Sequence, residues 1–403
     1  MEFNPFDPAT IADPYPLYEQ MRRETPMYWC EEFGGWMVTR YADARDLLRD
    51  PQRFSSERQA ARRPQRNAGP YLGRNILNAD PPDHTRLRRL VVREFTPRAS
   101  DAWAPRIEAI VEELMADLEP AGTFDVMDGL AVPLPVRVIA EMLGVPPEDR
   151  ALFKRWSDDT VTPILPNTPE DEAARRMQSR DDLAQYFRDA ITAARARSEP
   201  RADLISSLVA ARDQGDQLSE DELLSFVVLL LLAGNETTTN LIGNGTLALI
   251  RNPDQFRLLR EQPGLVSRAI EEFLRYDGPV QNTSRVVTEP MTLLGVDLEA
   301  GDVVMPMLAS ANRDGRQFPN AAELHIDREE SEHLAFGTYI HVCLGAPLAR
   351  LEGAAAFRAI AKRFSELELA VPEADLRYRP AFTLRGLVSL SIGVPMREAQ
   401  QVS

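Results

Sequence analysis

The segment FGTYIHVCLG, residues 336–345, holds Cys343, one of only two cysteines in a chain of 403 residues. The residues after it read as the start of a helix. Gly345 lets the backbone approach the sulfur, and Pro347 stands in the first turn, where its missing N–H does no harm. A helix N-terminus stabilises a thiolate through its dipole and its backbone N–H groups. Such a thiolate could be a nucleophile with His341 as its base, a metal-cluster ligand, or the axial ligand of a haem iron. A cluster would need cysteines that the sequence lacks.

A second chemical segment, LLAGNETTT at residues 231–239, lies in the middle of a long apolar helix pattern. Gly234 costs about 1 kcal/mol relative to alanine in a helix, and three consecutive threonines add to that cost. We therefore predict that the helix opens here and that a ligand approaches its backbone. Glu236 and Thr237 would offer a carboxylate and a hydroxyl at the opening. A polar seam between helices, with threonines bonded back to the preceding turn, fits the same pattern.

The helix that carries this segment is the best-marked element of the chain. Ser219 and Glu222 form a capping box, and the apolar pattern continues to Arg251, just before Asn252 and Pro253. At 1.5 Å per residue such a helix is about 50 Å long. It is long enough to cross a whole domain.

A third segment contains Glu272 and Arg275, spaced i, i+3, so that they share a helix face and can form a bidentate pair. Most pairs of this kind are exposed and contribute little to stability. The spacing alone therefore indicates no function.

Helical periodicity dominates the remaining elements, and strand signals are short. Helices are predicted over residues 17–23, 42–49, 84–95, 103–118, 134–143 and 181–195. MYWCEE is predicted to pair with GGWMVTRY, and residues 286–308 to form a small set of hairpins. Residues 62–82 and 160–169 are predicted to be functional loops. Neither repeats nor a linker divides the sequence, which favours one domain.

Composition restricts the classes of function. The net charge of -16 argues against a general affinity for nucleic acid or anionic membranes, so any basic docking patch must be local. The N-terminal segment lacks the basic start and apolar core of a signal peptide. The longest apolar run, residues 226–233, is far shorter than the roughly 20 residues of a membrane span. Two cysteines without zinc-finger spacing fit a reducing compartment. We predict a soluble, cytoplasmic protein without a membrane span.

The three chemical segments together resemble the cytochrome P450 family, the haem-thiolate monooxygenases of the bacterial soluble type. FGTYIHVCLG is similar to the family's cysteine-ligand loop, AGNETT to its oxygen-activation motif and EFLR to its Glu-x-x-Arg pair, in the family's order. The likeness extends to DPYPLYEQMR, DPPDHTRLRRL and ANRDGRQF, and so covers essentially the whole chain. It implies a mainly α fold with small β-sheets, forming a triangular single domain over residues 1–403. Haem b would lie between the long central helix and the helix after the cysteine loop.

The resemblance also implies a role for individual residues. Cys343 would be the proximal ligand of the iron, and Glu236 with Thr237 would relay protons to bound dioxygen. The residues implied to bind haem are His84, Arg88, Ala233, Arg285, Phe336, His341, Cys343 and Gly345, of which His84, Arg88, Arg285 and His341 match the positions that hold the propionates. Those implied to be structural are Glu272, Arg275, Asn312 and Arg313.

The substrate pocket that the resemblance implies is mostly apolar, which favours a mid-sized terpenoid, steroid, fatty acid or macrolactone. Its predicted lining is Asn75, Leu229, Leu230, Ala233, Gly234, Val280, Gln281, Asn282 and Leu387. The amide side chains in this set could orient a polar group of the substrate. The implied partners are O2, a separate ferredoxin and its NAD(P)H-dependent reductase, because neither a flavin nor an iron–sulfur domain is fused to the chain. The implied oligomeric state is a monomer.

Two other functions stay open. A peroxide-driven haem enzyme usually lacks the acid–alcohol pair, so Glu236 and Thr237 argue against it. A non-catalytic haem sensor or carrier would not need a proton relay together with an apolar pocket.

Two further features concern the face on the cysteine side. The family usually has glycine four residues before the cysteine, where this chain has Tyr339; a positive φ there would cost about 1 kcal/mol. Arg89, Arg93 and Arg350 are candidates for a basic patch that receives an acidic ferredoxin. If these arginines were paired with acids such as Glu94 and Glu352, the surface would present little net positive potential to a partner.

Overall fold

The computed structural model of the chain describes residues 3–62, 75–118, 122–161, 168–199, 201–211, 215–329 and 332–393. The helices in chain order are α1 Pro8–Ala12, α2 Tyr15–Glu24, α3 Tyr41–Leu48, α4 Asp83–Val91, α5 Pro97–Asp101, α6 Ala104–Leu118, α7 Pro133–Leu143, α8 Arg150–Val161, α9 Glu170–Ala196, α10 Leu204–Ala210, α11 Glu220–Arg251, α12 Pro253–Glu261, α13 Val266–Asp277, α14 Leu308–Ala311 and α15 Ala346–Arg363. The strands are β1 Met27–Cys30, β2 Gly35–Val38, β3 Phe54–Ser55, β4 Thr123–Asp125, β5 Arg285–Val287, β6 Met291–Leu293, β7 Val296–Leu298, β8 Val303–Pro306, β9 Glu368–Leu369 and β10 Ser391–Gly393.

The chain divides into two compact units. The first comprises Met1–Arg66, Ala104–Leu134 and Thr237–Ser403, and the second comprises Asn67–Trp103 and Pro135–Glu236. All the strands above belong to the first unit, which also contains the cysteine loop and α15. The second unit is helical and contains α4, α5, α8, α9 and α10. That residues 1–403 form a single domain stays a prediction.

The sheets of the first unit are small and mostly antiparallel. The largest has the order β1-β2-β8-β5-β3, a second has the order β4-β10-β9, and β6 pairs with β7 as a hairpin. β1 and β2 are antiparallel, with Trp29 opposite Trp36, and β2 runs parallel to β8. The predicted pairing of MYWCEE with GGWMVTRY and the predicted strands within residues 286–308 are therefore confirmed.

Local sequence signals set the ends of the two helices that matter most for function. At the start of α11, Glu222 N donates to Ser219 Oγ over 3.2 Å and Ser219 N donates to Glu222 Oε2 over 2.9 Å, so the predicted capping box is confirmed. α15 has Gly345 as its N-cap, and the predicted proline in its first turn is confirmed.

The predicted helices over residues 17–23, 42–49, 84–95, 103–118 and 134–143 are present to within a few residues, the third as α4 followed by a 3₁₀ turn at Val92–Phe95. Helix α9 begins at Glu170, earlier than predicted, because three acidic residues in its first turn favour a helix N-terminus there. Of the two predicted loops, residues 63–74 and 162–167 lie outside the described residues.

Aromatic packing fixes α11 against the helices that carry the cysteine side of the first unit. The rings of Phe273 on α13 and Phe357 on α15 lie 4.7 Å apart. They press on α11 at Gly245, where an added Cβ would stand 2.5 Å from the Phe357 ring. Only glycine permits this close approach. The contact holds the cysteine helix at a fixed distance from the central helix.

Candidate active site

The cysteine loop is closed by backbone hydrogen bonds. Cys343 N donates to Phe336 O over 2.8 Å, and Gly337 N donates to Leu334 O over 2.8 Å. A 3₁₀ turn at Tyr339–His341 lies within the loop, and Cys343 itself is exposed two residues before Gly345, the N-cap of α15. The loop therefore presents the sulfur at a helix N-terminus, where a thiolate is favoured.

Tyr339 adopts φ +58°, the left-handed region in which a glycine would be unstrained. Its side chain is 54% exposed. Tyr339 therefore has the positive φ whose steric cost the sequence analysis put at about 1 kcal/mol.

The centre of α11 is continuous, so the prediction that the helix opens there is wrong. Helical structure runs unbroken from Glu220 to Arg251. What distinguishes the segment is exposure, because Ala233 and Gly234 are exposed in a helix that is otherwise mostly buried. Apart from the adjoining part of α11 itself, no described residue has an atom within 4 Å of the point where a Cβ on Gly234 would stand. A flat ligand can therefore approach this face without any break in the helix.

The threonines after Gly234 make sideways contacts that offset their poor helix propensity. Thr239 Oγ1 donates to the carbonyl of Ala131 over 2.9 Å, and Thr238 hydrogen-bonds the carboxyl group of Glu352 on α15. Glu236 and Thr237, the predicted relay pair, are half-buried and also take part in polar interactions. The polar seam and the ligand-facing surface thus occur together along one helix.

Sequence reasoning gave no function to Glu352, which is only 3% exposed. Burial raises the pKa of its carboxyl group to about 8, although the hydrogen bond from Thr238 acts in the opposite direction. A signal was present in the sequence: Glu352 stands before GAAA, and small residues of this kind indicate close helix packing. Its burial also removes it as a partner for Arg350.

Glu272 and Arg275 form a buried network. Arg275 Nε and Nη2 donate to the two carboxylate oxygens of Glu272, both over 2.7 Å, and the two side chains are 1% and 0% exposed. Arg275 also donates to the carbonyls of Asn312, Ala321 and Glu323. This bidentate, fully satisfied pair joins α13 to the segment after α14.

Asn312 and Arg313 extend that network in two directions. The side-chain oxygen of Asn312 accepts from Leu334 N over 2.7 Å, at the entrance to the cysteine loop. Arg313 donates to the carbonyl of Tyr276 and stacks 3.7 Å from the centre of the Tyr276 ring. The geometry suits the structural role predicted for all four residues.

The four predicted propionate partners lie in the two units, two in each. In the first unit, Arg285 is buried on β5, and His341 Nε2 lies 2.9 Å from Ser56 Oγ. In the second unit, His84 and Arg88 stand i, i+4 on α4, so that they share a helix face; His84 is buried and Arg88 is half-buried.

The amide side chains of the predicted pocket are already occupied by protein partners. Gln281 donates to the carbonyl of Gly278 over 2.9 Å, and Asn282 donates to the carbonyl of Phe382 over 2.9 Å. Both residues are buried. Asn75 accepts from Leu77 N over 2.9 Å and is buried as well. These contacts make the three amides framework groups, which argues against the predicted role of orienting a polar substrate group.

The other predicted pocket residues differ in burial. Leu229 and Leu387 are buried, whereas Leu230 and Val280 are half-buried. Ala233 and Gly234 are both exposed on α11.

Arg350 is not the unpaired surface cation that a docking patch would use. Its Nε and Nη2 donate to Glu271 on α13 over 2.6 and 2.9 Å. Arg89 and Arg93 are exposed in the second unit, at the end of α4 and in the 3₁₀ turn after it.

Comparison with known proteins agrees with these features. The family described as cytochrome P450 matches residues 152–374. The chain is 42% identical to cytochrome P450 monooxygenase PikC of Streptomyces venezuelae, across 94% of this chain and 91% of that protein. It is 43% identical to vitamin D(3) 25-hydroxylase of Pseudonocardia autotrophica, across 96% and 95% of the two chains.

Solved structures show the same likeness. The cytochrome P450 PksS of the bacillaene polyketide synthase of Bacillus subtilis superposes with a TM-score of 0.90 at 37% identity, covering 98% of this chain and 100% of that one. CYP109E1 from Bacillus megaterium, in complex with corticosterone, gives 0.87 at 38% identity, covering 96% and 100%. The predicted mainly α fold with small sheets and the predicted haem b are confirmed by this kinship. The chain belongs to the cytochrome P450 family and is a haem-dependent monooxygenase.

Proposed function

We propose that the protein inserts one oxygen atom from O2 into a mid-sized, largely apolar substrate, with Cys343 as the ligand of the haem iron. A separate ferredoxin and its NAD(P)H-dependent reductase would supply the electrons. The observation that carries this proposal is the position of Cys343, which is exposed before the N-cap of α15 at the end of a loop closed on Phe336.

The residues present suit a haem. In the first unit, an exposed thiol stands two residues before Gly345, and a Cβ at Gly345 would meet no atom of the described residues within 4 Å apart from its chain neighbours. In the second unit, the exposed surface of Ala233 and Gly234 interrupts a buried helix. Arg285, His341, His84 and Arg88 are hydrogen-bond donors of the kind that propionates require inside a protein. Bound in this way, haem would supply dioxygen binding and activation, and the thiolate would favour O–O cleavage.

The protein's own groups would then manage protons and water. Thr237 would hold a hydroxyl proton next to the reaction space, and the Glu236 carboxyl would restore that proton through water. Because the two residues are consecutive on α11, the helix fixes their separation. In the second unit, the apolar side chains of Leu229 and Leu230 would exclude bulk water from the surface beside Ala233 and Gly234.

The relatives support the substrate class. One relative is named for hydroxylation of vitamin D(3), and another, 37% identical, is the 6-deoxyerythronolide B hydroxylase of Saccharopolyspora erythraea. A structure of CYP109E1 holds corticosterone. Vitamin D(3) and corticosterone are mid-sized molecules with a large hydrocarbon framework, which supports the class of terpenoid, steroid, fatty acid or macrolactone that we propose here.

We also propose that the protein is cytoplasmic and acts as a monomer. One helix among the described residues, Glu220–Arg251, is long and apolar enough to cross a membrane by composition, but 67% of its most apolar window is buried within the protein. Helices in the cores of soluble proteins pass the same test, and we assign α11 to the core.

The test compares the reduced, CO-bound spectra of three proteins. Wild type should show the long-wavelength band of thiolate-bound haem, and Cys343→His should abolish it. The control is Cys30→Ser, because Cys30 is buried in β1 and burial raises the pKa of its thiol to about 12. This control should keep the band. A thiolate band that survives in Cys343→His would refute the assignment.

Turnover then separates the proposed function from its alternatives. Candidate steroids and macrolactones are screened for a shift in the spin state of the iron, and a compound that binds is incubated with ferredoxin, reductase and NAD(P)H or with hydrogen peroxide alone. We expect product in the first incubation. Product with peroxide alone would indicate a peroxygenase, and binding without product in either incubation would indicate a carrier or sensor.

A further inference from the structure

Glu271 on α13 joins two parts of the cysteine side of the first unit. Its carboxylate accepts both guanidinium hydrogen bonds of Arg350 on α15, over 2.6 and 2.9 Å. The same carboxylate lies 3.1 Å from Nε2 of His333, at the start of the cysteine loop. The His333 side chain is 3% exposed, and that of Glu271 is 21% exposed. A single acid thus holds the helix after the cysteine and the segment before it.

The hydrogen bonds of His333 define which of its two ring nitrogens carries the proton. Its Nδ1 accepts from Ala335 N over 3.2 Å, so in the neutral ring the proton resides on Nε2 and is donated to Glu271. Burial tends to raise the pKa of Glu271, but the hydrogen bonds from Arg350 and His333 outweigh it and lower that pKa to about 2. Glu271 is therefore a fixed negative charge throughout the neutral range.

Arg350 carries the contact onward to the loop. Its guanidinium carbon lies 4.5 Å from the centre of the Phe336 ring, a cation–π contact. The Phe336 carbonyl accepts the hydrogen bond from Cys343 N. The pKa of Arg350 is raised mainly by its hydrogen bond with Glu271, and the charge of the Cys343 thiolate raises it further. The guanidinium is therefore packed on the ring of the residue whose carbonyl binds the Cys343 amide, on the loop that carries the sulfur.

We propose that Glu271 and Arg350 form a charge-balanced clamp on the cysteine loop. The clamp fixes the plane of Phe336 and sets the electrostatic potential at the Cys343 sulfur, and thereby the reduction potential of the iron that this sulfur binds. This inference rests on the proposed ligation of the iron by Cys343. Both clamp residues are positioning residues, because neither touches the reacting atoms.

The two charges act on the iron with opposite signs. A positive charge near the metal favours the reduced state, and a negative charge favours the oxidised state. Arg350→Gln leaves Glu271 uncompensated and should make the ferric/ferrous potential more negative. Glu271→Gln leaves Arg350 uncompensated and should make it more positive. The double variant should return close to the wild-type potential.

A matched control exists on the same helix. Arg358 also lies on α15, its side chain has the same 43% exposure as that of Arg350, and it pairs with Glu108 over 3.4 Å. Arg358→Gln should leave the potential unchanged. Arg350→Lys keeps the charge and should stay close to the wild-type value, since a charge effect requires only the charge.

The experiment measures the midpoint potential of each haem-loaded, full-length variant, with the reduced CO spectrum as a check on ligation. Opposite shifts for Arg350→Gln and Glu271→Gln would support the clamp. Shifts in the same direction, no shift in either variant, or a shift for Arg350→Lys as large as that for Arg350→Gln would overturn it. A wild-type protein without the thiolate CO band would instead overturn the ligation by Cys343.

Discussion

Glu352 gives the structure a dependence of stability on pH that can be measured. The residue lies inside the first unit with 3% of its surface exposed, and it contacts the central helix through Thr238. Burial raises the pKa of its carboxyl group from 4.5 to about 8. Replacement by glutamine, which resembles the protonated acid in shape and hydrogen bonding, removes the titration and keeps the contact.

The sign of the effect follows from proton uptake. Between pH 4.5 and 8 the unfolded chain has lost the proton of this group, whereas the folded protein retains it. The stabilisation is therefore complete below pH 4.5 and is lost as the pH rises through the folded pKa of about 8. The loss is about 1.4 kcal/mol for each pH unit midway between the two pKa values. Because this slope falls off near each pKa, the loss between pH 5 and pH 8 is roughly 3 to 4 kcal/mol.

Thermal unfolding of the haem-loaded protein, with and without the substitution Glu352→Gln, provides the assay. We expect nearly equal midpoints at pH 5 and a higher midpoint for the variant at pH 8. The shift should be about 1 °C for each kcal/mol, because the entropy of unfolding grows with chain length. Glu108→Gln, at a largely exposed glutamate, is the control and should show no such change with pH. A difference between variant and wild type that is the same at pH 5 and pH 8 would refute the burial argument.

Two further predictions concern the reaction. Thr237→Ala should keep haem and substrate binding but divert reducing equivalents to peroxide, because proton delivery becomes disordered, whereas Thr246→Val on the same helix should not. Unchanged coupling of NAD(P)H consumption to product would contradict the relay. Charge reversal at Arg89 and Arg93 should slow the association of an acidic ferredoxin and flatten its salt dependence, and reversal of the exposed Arg98 serves as the control. Equal reduction rates at low ionic strength would place the docking site elsewhere.

The sequence predicted those features of the structure that depend on residues close to one another along the chain. Helix limits followed from caps and periodicity, as at Ser219 and Glu222, where both hydrogen bonds of the capping box are present. The motif around Cys343 gave the family, the fold class and the cofactor. The order of the strands could be predicted only in part, because the parallel pairing of β2 with β8 joins residues more than 260 positions apart.

The wrong prediction at the centre of α11 has a physical cause. Propensity assigned Gly234 and the three threonines a cost of a few kcal/mol at most, and tertiary contacts offset a cost of that size. Thr239 is satisfied by Ala131, and Thr238 by Glu352. A local rule could detect that the segment was unusual. It could not show whether the helix breaks at this point or stays continuous and exposes Ala233 and Gly234 on its surface.

The same limit explains why the roles of Glu271 and Arg350 could not be predicted. The two residues are 79 positions apart, and a surface arginine on a helix is ordinarily a solvated charge. Once Arg350 is paired with Glu271, its contribution to a docking field is largely cancelled, and what remains is the field that both charges exert at short range on Cys343. A charge reversal at Arg350 would therefore change the potential of the iron as well as any docking, so its effect on electron transfer would not identify a partner surface. Arg89 and Arg93, in the second unit, allow docking to be tested without that ambiguity.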